Sequence, residues 1–249
     1  SAASDVYKRQ NLHRLAMDYL GIRLHLYQQL ILYLMGISQL VCIVACRAAA
    51  KSFIIALYAC CKAIIKPGSK IVLGSATRGQ SKLIISEKIK NELMNMSPAL
   101  RKEIKDIKDS ANESIVYFNN GSTIKVFTAN EFARGLRSTD AVREEFRQID
   151  KNIDDSVISP FQTIRQAPFM IDPFYEGIEC LKEDPKDIYI SSSWLDDGHW
   201  MWNLVDQAYT DMLNNRTSVM LAFDESITLK HNIRTQRQMQ QEKKKQDPI

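Results

Sequence analysis

The chain has 249 residues, 45% of them hydrophobic, with 33 Lys/Arg against 29 Asp/Glu and a formal net charge of +4. That is enough apolar material for a full core, so one large soluble domain is the expectation, and no apolar run is long and charge-free enough to span a bilayer, since Met35-Gly36 and Ser38-Gln39 interrupt the longest. The charge is uneven: Lys230 to Ile249 holds six Lys/Arg and two acids, which matches the whole excess and leaves the preceding chain near neutral.

Residues 1–10, with Asp5-Val-Tyr-Lys-Arg-Gln10, read as extraneous sequence ahead of a chain whose own start is missing, and are set aside. Five cysteines, Cys42, Cys46, Cys60, Cys61 and Cys180, lack C-x-x-C spacing and nearby histidine pairs, which points to reduced thiols rather than disulfides or zinc. Leu26-Tyr27-Gln28-Gln29-Leu30-Ile31-Leu32 resembles the glutamine motif that precedes the phosphate loop in many nucleic-acid-stimulated ATPases. In that setting the Gln28 amide, with a donor and an acceptor, reads the adenine edge. The alternative is a solvated glutamine on an amphipathic helix.

Val41 to Phe53 is a short apolar run that stops at small residues and resumes as an apolar helix, so it reads as strand, tight loop, helix. The ending Lys51-Ser52 fits the phosphate-loop pattern G-x-x-x-x-G-K-[ST], in which backbone N–H groups surround the phosphates, a lysine reaches the outer ones and a hydroxyl meets Mg²⁺. The two glycine positions hold Ala45 and Ala50, and Cys46, Arg47, Ala48 and Ala49 fill the loop between them. A loop with nothing larger than methyl groups near its turn can still bring backbone to a phosphate, and the following helix offers its N-terminus to an anion. The alternative is a buried strand-turn-helix capped by Ser52.

Phe53 to Ile65 is apolar nearly all round and predicts a helix buried against a sheet, ended by Lys66-Pro67-Gly68. Lys70 to Ala76 predicts a second buried strand. Arg78 to Met96 predicts a helix with Leu83, Ile84, Ile89, Leu93 and Met94 on its apolar face, stopped by Ser97-Pro98. Strand and helix in alternation predict a parallel sheet. Leu100 to Asp109 reads as a solvated amphipathic helix without a role. Ser114–Phe118 and Thr123–Phe127 flank Asn119-Asn120-Gly121-Ser122, a hairpin whose Asn-Gly is expected to supply the positive φ angles of a tight turn. Then come a basic glycine loop, Ala133 to Arg137, and a short strand from Asp140 that ends in Glu144-Glu145. Two acids at a strand end suit a nucleotide hydrolase, the first on Mg²⁺ and the second orienting water.

Taken together, Cys46-Arg47-x-x-x-Lys51-Ser52, Asn120-Gly121-Ser122, Arg134-Gly135-Leu136-Arg137, Glu144-Glu145-Phe146-Arg147, Asp150-Lys151 and Ser159-Pro160-Phe161 resemble the ATPase domain of a tailed-phage large terminase subunit, from about Leu24 onward. The resemblance implies a three-layer α/β P-loop NTPase of the ASCE/RecA-like kind, with a central, mostly parallel sheet and an added β-hairpin. It implies ATP and Mg²⁺ as cofactors, and a motor moving double-stranded DNA into a procapsid. A homo-oligomeric ring, the portal protein and the small terminase subunit would be its partners, in the cytoplasm of a bacterial host, outside the mature virion and away from any membrane. By the same resemblance Ala45 to Ser52 bind nucleotide, Ser52 and Glu144 hold the metal, and Glu145 and Arg47 are catalytic. Gln28 meets adenine, Ser191, Ser192 and Ser193 couple the phosphate state to movement, and Arg134 and Arg137 are candidates for DNA or trans contacts. Two departures stand out: the family usually has glycine where Ala50 stands, and aspartate, after a more hydrophobic strand than Ala141-Val142-Arg143, where Glu144 stands.

Toward the C-terminus, Asp187 to Trp194 predicts an apolar strand ending in hydroxyls and Gly198 to Asn215 a helix whose Trp200, Trp202, Leu204 and Val205 read as core. Ser218 to Phe223 predicts the strand that closes the sheet. The ATPase domain is expected over residues 11–229, with 230–249 a basic linker toward a nuclease domain not encoded in this fragment. A helicase-like P-loop ATPase of another family, and a degenerate nucleotide-binding module without turnover, stay open as alternatives.

Overall fold

The computed structural model describes residues 11–110, 113–130, 136–161, 173–175, 184–193, 196, 198–214 and 216–246. In chain order its main elements are α1 (Leu26–Ile37), β1 (Leu40–Ala45), α2 (Lys51–Ile65), β2 (Lys70–Ser75), α3 (78–96), β3 (Ile104–Asp109), β4 (Ser114–Phe118), β5 (Thr123–Thr128), β6 (Asp140–Glu144), β7 (Lys186–Ser191), α4 (Trp200–Leu213), β8 (Ser218–Phe223) and α5 (Gln236–Gln246). The eight strands form one sheet in the order β3-β4-β5-β2-β6-β7-β1-β8. From β5 to β8 every neighbouring pair is parallel, and β4 runs antiparallel to both β3 and β5. β7 lies between β1 and β6, so the strand before the Lys51-Ser52 loop and the strand that ends in Glu144 are not neighbours.

The sheet is covered on both faces, which is why its central strands read as continuous apolar runs rather than as alternation. One layer gathers Ile31 and Met35 of α1, the whole of α2 from Phe53 to Ala63, and Ile84, Ile85, Ile89 and Leu93 of α3. The other gathers Phe146, Ile149, Val157 and Ile158 with Met201, Val205 and Ala208 of α4. Within the buried run of α2, Lys62 is matched by Asp140, 3.4 Å away. Among the described residues no helix is long and apolar enough to cross a membrane, and Cys42, Cys46, Cys60 and Cys61 are free thiols; Cys180 lies outside the described residues.

Three expectations need correction. Leu100 to Asp109 is not one helix: a short helix, Pro98–Glu103, gives way to β3, whose pairing with β4 satisfies its backbone at the sheet edge. A register shift between Ile104 and Asp106 lets Ile104 and Ile107, three apart and so out of step for a regular strand, both sit half-buried. The β4–β5 connection is a four-residue turn in which Gly121 alone has positive φ, at 83°. Asn120 is used through its side chain, which accepts from Ser122 N–H at 3.0 Å and donates to the carbonyls of Ala63 (2.8 Å) and Ile64 (3.0 Å), capping the end of α2. Finally, Leu83 is exposed and Ile85 takes the core place expected for it.

Candidate nucleotide site

β1 ends in the sheet with Ala45 paired to Phe223, and Cys46 N–H then donates to Phe223 O at 2.9 Å, holding the loop's first residue against β8. The loop turns through Ala48 (φ 63°) and Ala50 (φ 57°), both left-handed, and delivers Lys51 as the first residue of α2. Of the two positions where the loop pattern asks for glycine, Ala45 is extended strand, which any residue adopts, and Ala50 is the one whose backbone favours glycine.

Lys51 Nζ donates to the carbonyls of Ala45 (3.2 Å) and Cys46 (3.1 Å) and lies 3.6 Å from Glu145 Oε1. The ammonium is thus held inside the loop, close to the acid opposite. Ser52 Oγ donates to Glu144 Oε1, bringing together the hydroxyl and the carboxylate expected at the metal across 92 residues of sequence.

The two adjacent acids are treated differently. Glu144 is buried against Ser52, and burial pushes its pKa up; the Ser52 hydrogen bond opposes this and the neighbouring Glu145 charge adds to it. Glu145 follows the strand end in a left-handed conformation, φ 47° and ψ 48°. Its Oε2 accepts from Ser191 Oγ (3.2 Å), Ser192 N–H (3.3 Å) and Ser192 Oγ (3.0 Å), and pairs with Arg147 Nε at 3.1 Å. Burial alone would raise its pKa, but the Lys51 charge, the Ser192 hydrogen bonds and the Arg147 charge together hold it below the ordinary range. Glu145 is therefore a carboxylate kept ionised, and Glu144 one whose ionisation is disfavoured by burial beyond what Ser52 and Lys51 offset.

Among the described residues no cluster of three or more His, Cys, Asp or Glu could cage a metal. A cation bound at Ser52 and Glu144 would draw its remaining oxygen ligands from phosphate and water, which is the habit of Mg²⁺. The residues present fit that ion.

Of these groups Lys51, Ser52 and Glu145 line a cleft of about 520 Å³ between the loop, the start of α1 and α3. Gln28 lines it, with Oε1 accepting from His25 N–H at 2.9 Å and thereby bonded to the backbone ahead of α1. Arg47 is exposed at the mouth. Arg23, Lys88, Glu92 and Ile233 also line the cleft and carry no sequence signal; Lys88 and Glu92 share α3, and only the fold brings them to Arg23 and Ile233. Arg137 is exposed and outside the cleft lining, Ser193 accepts at its carbonyl from Arg147 at 3.4 Å and is not in the cleft lining, and Arg134 lies outside the described residues. Arg147 belongs to the sequence motif without a role there; its ion pair with Glu145 gives it one.

A parallel α/β sheet, a phosphate-type loop between its strand and helix, and an acid-bearing strand one place removed define a P-loop NTPase fold of the ASCE kind. No protein-family model matches the sequence, and no curated protein does either. Solved structures do. The chain is similar to the large terminase ATPase domain of Thermus phage P74-26 (TM-score 0.57, 14% identity, 84% of this chain and 83% of that one). It is also similar to the HK97 bacteriophage large terminase (0.59, 17%, 85% and 43%) and to the large terminase of a thermophilic bacteriophage in complex with ATP-gamma-S (0.51, 12%, 81% and 44%). At these identities the likeness is one of fold: the chain has the fold of a phage large-terminase ATPase domain, and spans less than half of the HK97 protein and of the ATP-gamma-S-bound one.

Proposed function

We propose that this chain is the ATP-hydrolysing motor domain of a phage terminase large subunit, coupling hydrolysis to the movement of double-stranded DNA into a procapsid. The observation that carries the reading is that Lys51, Ser52 and Glu145 line one cleft of a terminase-type fold, with Glu144 bonded to Ser52 and Ser192 to Glu145 just behind them. The large terminase of a thermophilic bacteriophage was solved with ATP-gamma-S, which supports a nucleoside triphosphate as the ligand of a cleft of this kind.

In this reading the loop amides and Lys51 hold the phosphates, and Gln28 contacts the base. Ser52 and Glu144 would hold Mg²⁺, which when bound neutralises phosphate charge and orients the transferred group. Glu145, ionised and fixed by Ser192 and Arg147, orients the attacking water and takes up its proton as the water adds to the γ-phosphorus and the bond to the β-phosphate oxygen breaks. Ser191 and Ser192 report that change to β7, since they grip the same carboxylate. Arg47, at the mouth, faces the charge that develops on the γ-phosphate. Arg134, Arg137 and the basic segment from Lys230 meet DNA phosphates or a neighbouring subunit. The partners are a ring of identical subunits, the portal protein and the small terminase subunit, and the setting is the host cytoplasm.

The test is Glu145→Gln beside Glu144→Gln, with ATP binding in Mg²⁺ measured by calorimetry and phosphate release measured with double-stranded DNA present. Glu145→Gln should bind ATP as the parent does and lose about two to four decades of rate. Glu144→Gln should weaken Mg²⁺-dependent binding as well. A parent that binds ATP without turnover, in the assembled state and with DNA, overturns the motor reading; normal turnover in Glu145→Gln overturns the assignment of the base.

A further inference from the structure

Arg143 sits on β6 directly before the two acids and is wholly buried, where the terminase resemblance leads one to expect an apolar residue. Its side chain points to the sheet face opposite Glu144. Nε donates to Asp154 Oδ1 at 2.7 Å, Nη1 donates to Ala141 O at 3.2 Å and pairs with Asp187, and Nη2 reaches Ser159 Oγ at 3.4 Å. The guanidinium carbon lies 4.4 Å from the centre of the Tyr189 ring, on the residue that faces Arg143 across β6–β7, and the Tyr189 hydroxyl donates to Asp154 Oδ2 at 2.9 Å. Arg143, Asp154 and Tyr189 therefore close a three-membered ring of contacts.

The two ends of that ring bracket the catalytic corner. Arg143 precedes Glu144-Glu145, and Asp154 lies on the helical segment 151–158 that folds back after the corner, so their ion pair closes the loop containing Glu145. Glu145 holds a left-handed backbone that a non-glycine residue keeps only when its surroundings over-determine it. Tyr189 ties the same ring to β7, two residues before Ser191, so the carboxylate and the serines that grip it are referenced to one buried point.

We propose that Arg143, with Asp154 and Tyr189, is a positioning clamp for Glu145 that fixes both its backbone and its distance to Ser191 and Ser192. It touches neither ATP nor water; it acts through Glu145. The inference rests on the hydrolysis reading, but it concerns residues that reading does not use. Losing the clamp leaves α2 in place, and Lys51 keeps its bonds to the Ala45 and Cys46 carbonyls even where its contact with Glu145 shifts, so the effect should fall mainly on turnover rather than on binding.

The experiment measures kcat, KM and melting temperature of Tyr189→Phe, Asp154→Asn and the triple variant R143M/D154N/D187N, which removes the guanidinium together with both carboxylates and so avoids stranding a buried charge. Lys62→Met is the control, since it breaks a buried ion pair at the start of the same strand, away from the corner. Folded clamp variants should show kcat reduced roughly 10- to 100-fold with KM within about threefold of the parent, the scale expected of a slightly misplaced catalytic group, while Lys62→Met lowers the melting temperature with kcat kept. Parental kcat in the clamp variants, or an equal loss in Lys62→Met, overturns the clamp and leaves the ATPase reading standing. A parent without turnover overturns the ATPase reading first.

Discussion

Replacing Ala50 by glycine should stabilise the protein, although glycine ordinarily costs folding free energy through the freedom it gives the unfolded chain. Ala50 holds φ 57° and ψ 32° at the N-cap of α2, and the left-handed region costs an L-residue about 1 to 2 kcal/mol because Cβ crowds the following carbonyl. Glycine removes that cost. Against it stands the extra freedom of the unfolded chain, worth about 0.4 to 1 kcal/mol. The balance is about 1 kcal/mol in favour of Ala50→Gly, or roughly 2 to 4 °C in Tm for a domain of this size. Ala45→Gly is the matched opposite: Ala45 is buried, extended and paired in β1, so the substitution should destabilise by about 0.5 to 1 kcal/mol. Calorimetric melting of both variants beside the parent checks the pair. A lower Tm for Ala50→Gly would refute the strain argument, and equal shifts for the two would refute the distinction between them.

Gly74→Ala should cost about 1 to 3 kcal/mol by overpacking, because a Cβ there would come within 2.2 Å of the Phe127 ring on the adjacent strand; urea denaturation measures it, and Phe127→Leu should recover part of the loss. The acids predict a pH signature in metal-free buffer. Glu144 has its folded pKa raised, so its favourable contribution is complete below the unfolded value of about 4.3 and is lost as pH rises through the folded one. Glu144→Gln should therefore gain Tm on the parent as pH rises, and a flat difference between pH 4 and 8 would contradict this. Glu145, with a lowered folded pKa, contributes fully above about 4.3 and loses its contribution as pH falls through its folded value, so Glu145→Gln should show the reverse trend.

What is legible in the sequence is what is carried by short-range pattern. Lys51-Ser52 behind an apolar strand and Glu144-Glu145 at the end of another are local signals, and the parallel sheet follows from strand-helix alternation. The hydroxyls of Ser191 and Ser192 read as a strand end, and they do grip the acid at the end of β6. The failures share a cause. β3 reads as helix because its two isoleucines stand three apart, and only the bulge opposite β4 explains that spacing. Asn120 suggests a backbone role, whereas its side chain serves a helix end that lies 56 residues earlier. Arg143 looks like a flaw in an apolar strand, since its partners Asp154, Asp187 and Tyr189 come from elsewhere in the chain. In each case the deciding contact is made by the fold, so no window of sequence contains it.

The Asn120 cap changes what α2 can do mechanically. Fifteen residues long, this helix spans about 22 Å at roughly 1.5 Å per residue. Its first residue is Lys51 in the cleft, and its last carbonyls are fastened to the β4–β5 turn. A helix fastened at its far end and buried along its length has its last turn held against fraying. It is built as a strut, with the loop at one end of it and the β4–β5 hairpin fastened to the other.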